Sequence, residues 1–260
     1  MGVLMLRLVD GTLCRDGQII LEHVNLTMGQ GELMVLMGPN GAGKSTLLSA
    51  LTGELNLLSG QAYLDDMPVR DYRSSVLAER LAVLEQNDLL DFPFLVREVV
   101  SMGRIPHSSS VDETARIVSE VNAQLGLSPL AERTYTTLSG GEKRRVQIAR
   151  VLCQIWDRLT DGCLLLDEPT GPLDLAHEIA VLELLHTLTR DGLSVLMVMH
   201  DINLAARCAD RVGLLHDRNI TLGLPEEIIK ANALEAAFGT AVDVDMDSGS
   251  PQIRLHSERF

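Results

Sequence analysis

The sequence predicts an α/β fold: a mainly parallel sheet covered by helices, with an antiparallel β region ahead of it and a helical segment inserted within it. Three observations lead there. Short continuous apolar runs at Leu33–Met37, 163–166 and 194–199 have the length of strands buried on both faces. A helical pattern over Leu175–Arg190 separates the second run from the third, which is the strand–helix–strand rhythm of a parallel sheet. The stretch from about 91 to 161 carries no strong strand run and reads as helical.

In chain order, the first 37 residues alternate apolar and polar, with turn signals at Asp10-Gly11 and Asp16-Gly17, and predict antiparallel strands. The run Leu33–Met37 is stopped by Gly38-Pro39, and a helix follows from Lys44. Leu81–Leu84 is a further short strand, ending near Gln86. Ser110-x-x-Glu113 is a capping box, after which Val111, Ala115, Val118, Val121 and Leu125 recur at helical spacing until Gly126. Gly192 closes the helix over Leu175–Arg190. Near the end, Val242, Val244 and Met246 alternate with Asp243, Asp245 and Asp247, and Gly249 turns toward Ile253 and Leu255, a hairpin pattern. There is no internal repeat and no low-complexity segment.

The 260 residues suit one large domain or a core with a smaller subdomain. No apolar run approaches the ~20 residues of a membrane-spanning helix. Arg7 and Asp10 interrupt the first apolar stretch, unlike a signal peptide, and Leu6 stands where a myristoylation pattern wants Ser or Thr. A cytoplasmic chain is expected, reaching any membrane through a partner. Cys14, Cys153, Cys163 and Cys208 show no CxxC spacing and read as buried small hydrophobes rather than a disulfide or metal framework. A net charge of −14 argues against nucleic acid as a partner. Lysine occurs only at positions 44, 143 and 230, which makes the placement of the first notable.

That lysine sits in Gly38-Pro39-Asn40-Gly41-Ala42-Gly43-Lys44-Ser45, which fits GxxxxGK[ST] between a buried strand and a helix. Glycines let the backbone wrap a phosphate with several N–H groups pointing inward, and the helix N-terminus adds its positive end. Lys44 would reach the β- and γ-phosphates, and the Ser45 hydroxyl would complete a Mg²⁺ shell. The motif alone leaves ATPase, GTPase and kinase open. Downstream, the apolar strand at 163–166 delivers Asp167 and Glu168 at its C-terminal end, where ligands bind in an open α/β sheet. Strand alternation sends the two carboxylates opposite ways, so Asp167 is expected to hold Mg²⁺ and Glu168 to polarise an attacking water.

Leu138-Ser139-Gly140-Gly141-Glu142 precedes a helix carrying Lys143, Arg144, Arg145 and Gln147. With the phosphate loop, Gln86, the Leu-Leu-Leu-Asp-Glu-Pro run, Asp174 and His200 in this order, the sequence resembles the ATP-binding subunits of ABC transporters from about residue 17 to 217. The resemblance implies a P-loop NTPase core with the N-terminal antiparallel region and inserted helical subdomain described above. It divides a single 1–260 domain into a nucleotide-binding core (1–86 and 162–225), a helical subdomain with the signature (87–161) and C-terminal helices with a hairpin (226–260). It implies ATP and Mg²⁺ as cofactors. ATP contacts fall on residues 38–46, including Thr46, and in trans on Ser139, Gly140, Gly141 and Asp174. Glu168, His200 and Gln86 are the implied catalytic set, and Ser45, Gln86 and Asp167 the metal set. The implied partners are a second copy of the chain, sandwiching two ATP molecules, two membrane permease subunits, and a periplasmic binding protein indirectly. The place implied is the cytoplasmic face of the inner membrane.

Asp91-Phe92-Pro93-Phe94, Val96-Arg97-Glu98-Val99-Val100 and Met102-Gly103-Arg104 resemble the ATPases of importers for iron-containing and corrinoid compounds, and with Ser250-Pro251-Gln252-Ile253 the haem-import branch. Haem import is therefore expected ahead of ferric siderophore or cobalamin. The Phe-Pro-Phe segment is an apolar anchor of the kind that fits a permease groove. Two features depart from the family. The aromatic that stacks on adenine is absent, its expected place falling near Leu13, and Gly171 stands where a small polar residue is usual. The basic cluster Lys143-Arg144-Arg145 reads as the polar face of the signature helix rather than an RNA patch.

Overall fold

A computed structural model describes residues 4–86, 90–247 and 249–255. They fall into two compact units: the described residues of Met1–Asp71 with Leu196–Phe260, and Tyr72–Val195.

The first unit opens with strands β1 (Leu4–Arg15) and β2 (Gln18–Gly29), paired antiparallel across the Asp16-Gly17 turn. Leu21, Val24, Leu26 and Met28 of β2 are buried, and the residues between them exposed. The three-residue step from Leu21 to Val24 marks a bulge at His23, where the register with β1 shifts. β3 (Leu33–Met37) is buried throughout and leads through the glycine-rich loop into α1 (Lys44–Leu51). β4 (Ser59–Leu64) and β5 (Met67–Pro68) extend the antiparallel sheet in the order β2-β1-β4-β5.

The second unit runs through α2 (Ser74–Arg80), β6 (Leu81–Leu84), α3 (Val96–Ser101), α4 (Val111–Gln124), α5 (Gly140–Ile155), β7 (Cys163–Asp167) and α6 (Leu175–Arg190). β6 and β7 pair in parallel, as the apolar runs predict. Ser110 caps α4, its hydroxyl accepting from the Glu113 amide at 3.2 Å, and Gly126 follows the helix at φ +64°. α6 occupies the predicted span. It ends at Gly192 (φ +109°), where the Leu193 amide donates to the Leu188 carbonyl.

β8 (Ser194–Val198) carries the chain back to the first unit, which continues with α7 (Ile202–Cys208), β9 (Arg211–His216), β10 (Asn219–Gly223), α8 (Pro225–Ile228) and α9 (Ala231–Phe238). β3 lies parallel to β9, and β9 antiparallel to β10. The C-terminal hairpin forms from β11 (Val242–Asp247) and β12 (Ser250–Leu255) around Gly249. Asn203 of α7 clasps it, donating to the Ile253 carbonyl at 3.3 Å and accepting from the Ile253 amide at 2.6 Å. No helix among the described residues is long and apolar enough to cross a membrane.

Two expectations need correction. Arg144 and Arg145 are not a solvated polar face: they are 7% and 9% exposed, because their guanidinium groups turn inward onto backbone carbonyls. Cys153 and Cys163 are buried as expected, whereas Cys14 and Cys208 are only half-buried. Burial pushes the Cys153 thiol up to about 12, so it remains protonated and inert at neutral pH. Leu13, near which the stacking aromatic is missing, is fully buried in β1 and pairs with Leu21 of β2. Enlarging it in a close-packed interior is expected to destabilise the chain by about 1–3 kcal/mol. Thermal melts and nucleotide titration of Leu13→Tyr check this; tighter ATP binding at unchanged stability would overturn it.

Candidate functional site: a phosphate loop and an acidic strand end

In the first unit, β3 delivers the glycine loop with the backbone the motif requires. Gly41 and Gly43 adopt φ of +81° and +97°, the left-handed region that side chains disfavour. A Cβ at Gly43 would stand 2.6 Å from the Ile20 side chain, so the loop can pack there only as glycine. Lys44 is buried, and its Nζ donates to the Gly38 carbonyl at 2.8 Å and the Pro39 carbonyl at 3.0 Å. The ammonium thus lies across the mouth of its own loop. Ser45 is exposed and Thr46 buried. Residues 39–42 also border a cavity of about 300 Å³ whose other walls are Ile19, Ile20 and the His216–Arg218 turn. His200 is exposed just beyond β8, in a segment held from both sides. The Met199 amide donates to the Leu36 carbonyl of β3, and Asp201 caps α7 by accepting from the Leu204 amide at 2.9 Å.

In the second unit, β7 ends on Asp167, a residue only 5% exposed. Glu168 is partly exposed and has φ +50°, so its direction comes from a left-handed residue rather than from strand alternation. Gln86 lies beside them, its Nε2 donating to Glu168 Oε2 at 2.9 Å. The signature opens α5. Ser139 Oγ accepts from the Glu142 amide, and Glu142 Oε2 accepts from the Ser139 amide, a complete capping box. Those bonds hold the Glu142 carboxyl below its ordinary range. Ser139 and Gly140 are exposed, and a Cβ on Gly140 would meet nothing within 4 Å. Asp174 is exposed and caps α6; the His177 backbone amide, then its ring, lower its pKa.

Sequence reasoning missed one functional-looking group. Arg144 Nη2 donates to the carbonyls of Asp167 and Glu168, Nη1 to that of Glu85, and Nε to that of Pro169. A signal was present: Arg144, Ile148, Val151 and Ile155 share the i, i+4, i+7, i+11 stripe that α5 buries. Phe92 and Phe94 are both exposed, their rings 6.1 Å apart.

Comparison with known proteins decides the family, since the ABC transporter profile matches residues 21–171. The chain belongs to the ABC transporter family. It is the ATPase component, with a P-loop NTPase fold. A hemin import ATP-binding protein, HmuV of Pseudomonas aeruginosa, is 45% identical over 96% of this chain and 99% of its own length. Among solved ABC structures, cbiO1 of Clostridium perfringens, part of the transporter complex cbiONQ, is 28% identical at a TM-score of 0.75, over 89% of this chain and 92% of its own. The ATP-binding cassette MJ0796, solved as a dimer with ADP and Pi after hydrolysis, is 28% identical at a TM-score of 0.73, over 85% and 98%.

Proposed function

We propose that this ABC ATPase couples ATP hydrolysis to haem import from the cytoplasmic face of the inner membrane. The observation that carries the cargo is the 45% identity, over nearly the whole of both chains, to a hemin import ATP-binding protein. Residues 38–46 cradle the triphosphate, Lys44 exchanging its loop carbonyls for phosphate oxygens. Ile19 and Ile20, bordering the cavity beside the loop, offer the base an apolar wall in place of the absent aromatic. The Ser45 hydroxyl, the Asp167 carboxylate and the Gln86 carbonyl are hard oxygen donors of the kind Mg²⁺ prefers. When bound, that ion supplies charge neutralisation along the β- and γ-phosphates. Glu168 takes the proton of the attacking water, and His200 donates toward the γ-phosphate. The exposed Ser139 and Gly140 amides at the start of α5 receive the γ-phosphate of a second copy, so ATP joins the two subunits and hydrolysis releases them. Exposed Phe92 and Phe94 dock on one of two permease subunits, and a periplasmic haem-binding protein feeds the pair from outside.

The test is uptake into vesicles that hold this chain with the permease that co-purifies with it, offering haem, a ferric siderophore and cobalamin in parallel. ATP-dependent haem entry, lost in Glu168→Gln, is the expected outcome. Entry of one of the other compounds alone would refute haem as cargo, and failure of any membrane protein to co-purify would refute the coupling.

A further inference from the structure

We infer that Arg144 is a positioning residue through which engagement of the signature turn sets the placement of Glu168 and Gln86. The inference rests on the assignment of Glu168 as base and of Ser139-Gly140-Gly141 as the phosphate-receiving turn. It adds the physical link between them.

Arg144 lies on α5 a little over one turn beyond Gly140, where the helix begins. A buried guanidinium must spend its N–H groups on acceptors. Four of its bonds converge on one cluster of carbonyls. Nη2 takes Asp167 and Glu168, the latter at 3.0 Å; Nη1 takes Glu85 at 2.9 Å; Nε takes Pro169 at 3.3 Å. The backbone of Glu168 and that of the residue preceding Gln86 are therefore held by one rigid planar group. The Gln86–Glu168 hydrogen bond at 2.9 Å closes the loop between them.

The grip falls where the backbone is least comfortable. Glu168 is a non-glycine residue at φ +50° at the end of a buried strand, a conformation that persists only when its surroundings enforce it. The other positive-φ side chains among the described residues, Asp10, Asp16, His23, Asp65, Asp217 and Arg218, lie in turns or at the β1–β2 bulge. A shift of α5 as its first turn takes up a phosphate carries the guanidinium with it, and through it both Gln86 and the base. Lysine cannot replace it: an ammonium is a point donor and cannot span this set of carbonyls as a planar fork does.

The full-length chain with its permease is compared as native, Arg144→Lys, Arg144→Gln and Glu168→Gln, with Glu168→Gln also combined with Arg144→Lys. For Arg144→Lys, kcat is expected to fall about tenfold or more, with KM for ATP unchanged within about twofold. ATP-driven dimerisation of the double variant should match that of Glu168→Gln alone. A kcat near native in both Arg144 variants overturns the inference. So does a parallel loss of kcat, nucleotide affinity and dimerisation, which is what a merely structural arginine gives. Hydrogen exchange on Glu168→Gln with and without ATP needs no Arg144 variant. Protection should change together at the first turn of α5 and at residues 84–86 and 167–169, and a response confined to α5 overturns the link. Turnover surviving in Glu168→Gln would instead refute the assignment of the base, while a dead Glu168→Gln beside a near-native kcat in both Arg144 variants refutes this inference alone.

Discussion

Glu168→Gln is expected to lower ATP turnover by about 10²–10⁴-fold while leaving ATP affinity within about twofold, the loss that removal of a general base produces. The two side chains have the same shape, and a glutamine Oε1 can still accept from Gln86 Nε2, which now bonds Glu168 at 2.9 Å. What disappears is the capacity to take a proton. With binding intact and hydrolysis blocked, ATP remains between subunits and a dimer accumulates, visible by size exclusion with ATP and absent with ADP. Phosphate release within tenfold of native would remove Glu168 from the role. A companion variant separates function from stability. The left-handed backbone of a non-glycine residue costs about 1–3 kcal/mol, and glycine escapes that cost. Glu168→Gly should therefore lose turnover without losing thermal stability. A fall in its melting temperature comparable to that of a core deletion would mean that the side chain is structural.

The parts of the fold that were legible in the sequence are those where local chemistry and burial point the same way. The run Leu33–Met37 is apolar because both faces are covered, and Gly38-Pro39 stops it because glycine there begins the phosphate loop. Ser139 and Asp174 announce helix starts through their side chains, and both cap the helices they precede. Two readings failed for a common reason: each depended on which way a side chain points. Glu168 follows a strand, yet its direction comes from one left-handed residue that no pattern of two can encode. Arg144 is charged, and charge alone predicts exposure. Only its place on the buried stripe of α5, and the carbonyl cluster opposite, makes it an interior residue. Exposure of the Phe92–Phe94 pair, conversely, favours an external contact over packing within the helical segment.

Lys44→Ala is expected to weaken ATP binding by at least about 100-fold, because hydrogen bonds from a cation to charged partners contribute about 1.5–3 kcal/mol each and the side chain can offer two to the phosphates. The nucleotide-free chain should be affected far less. There Lys44 is 7% exposed and its ammonium is bonded to the Gly38 and Pro39 carbonyls at 2.8 and 3.0 Å. Its removal costs those bonds but also relieves a buried charge of its desolvation, and the two effects oppose each other. The difference between liganded and unliganded stability is therefore the informative quantity. Saturating ATP should raise the melting temperature of the native chain and scarcely move that of Lys44→Ala, as linkage requires when affinity falls while the folded state survives. A titration with fluorescent ATP and a paired melt measure both sides. Undiminished affinity would mean that the backbone amides of the loop bind the phosphates alone. A collapse of stability without nucleotide would mean that Lys44 chiefly ties the loop to itself, so that entry of a ligand must break a structural clasp before it gains a phosphate contact.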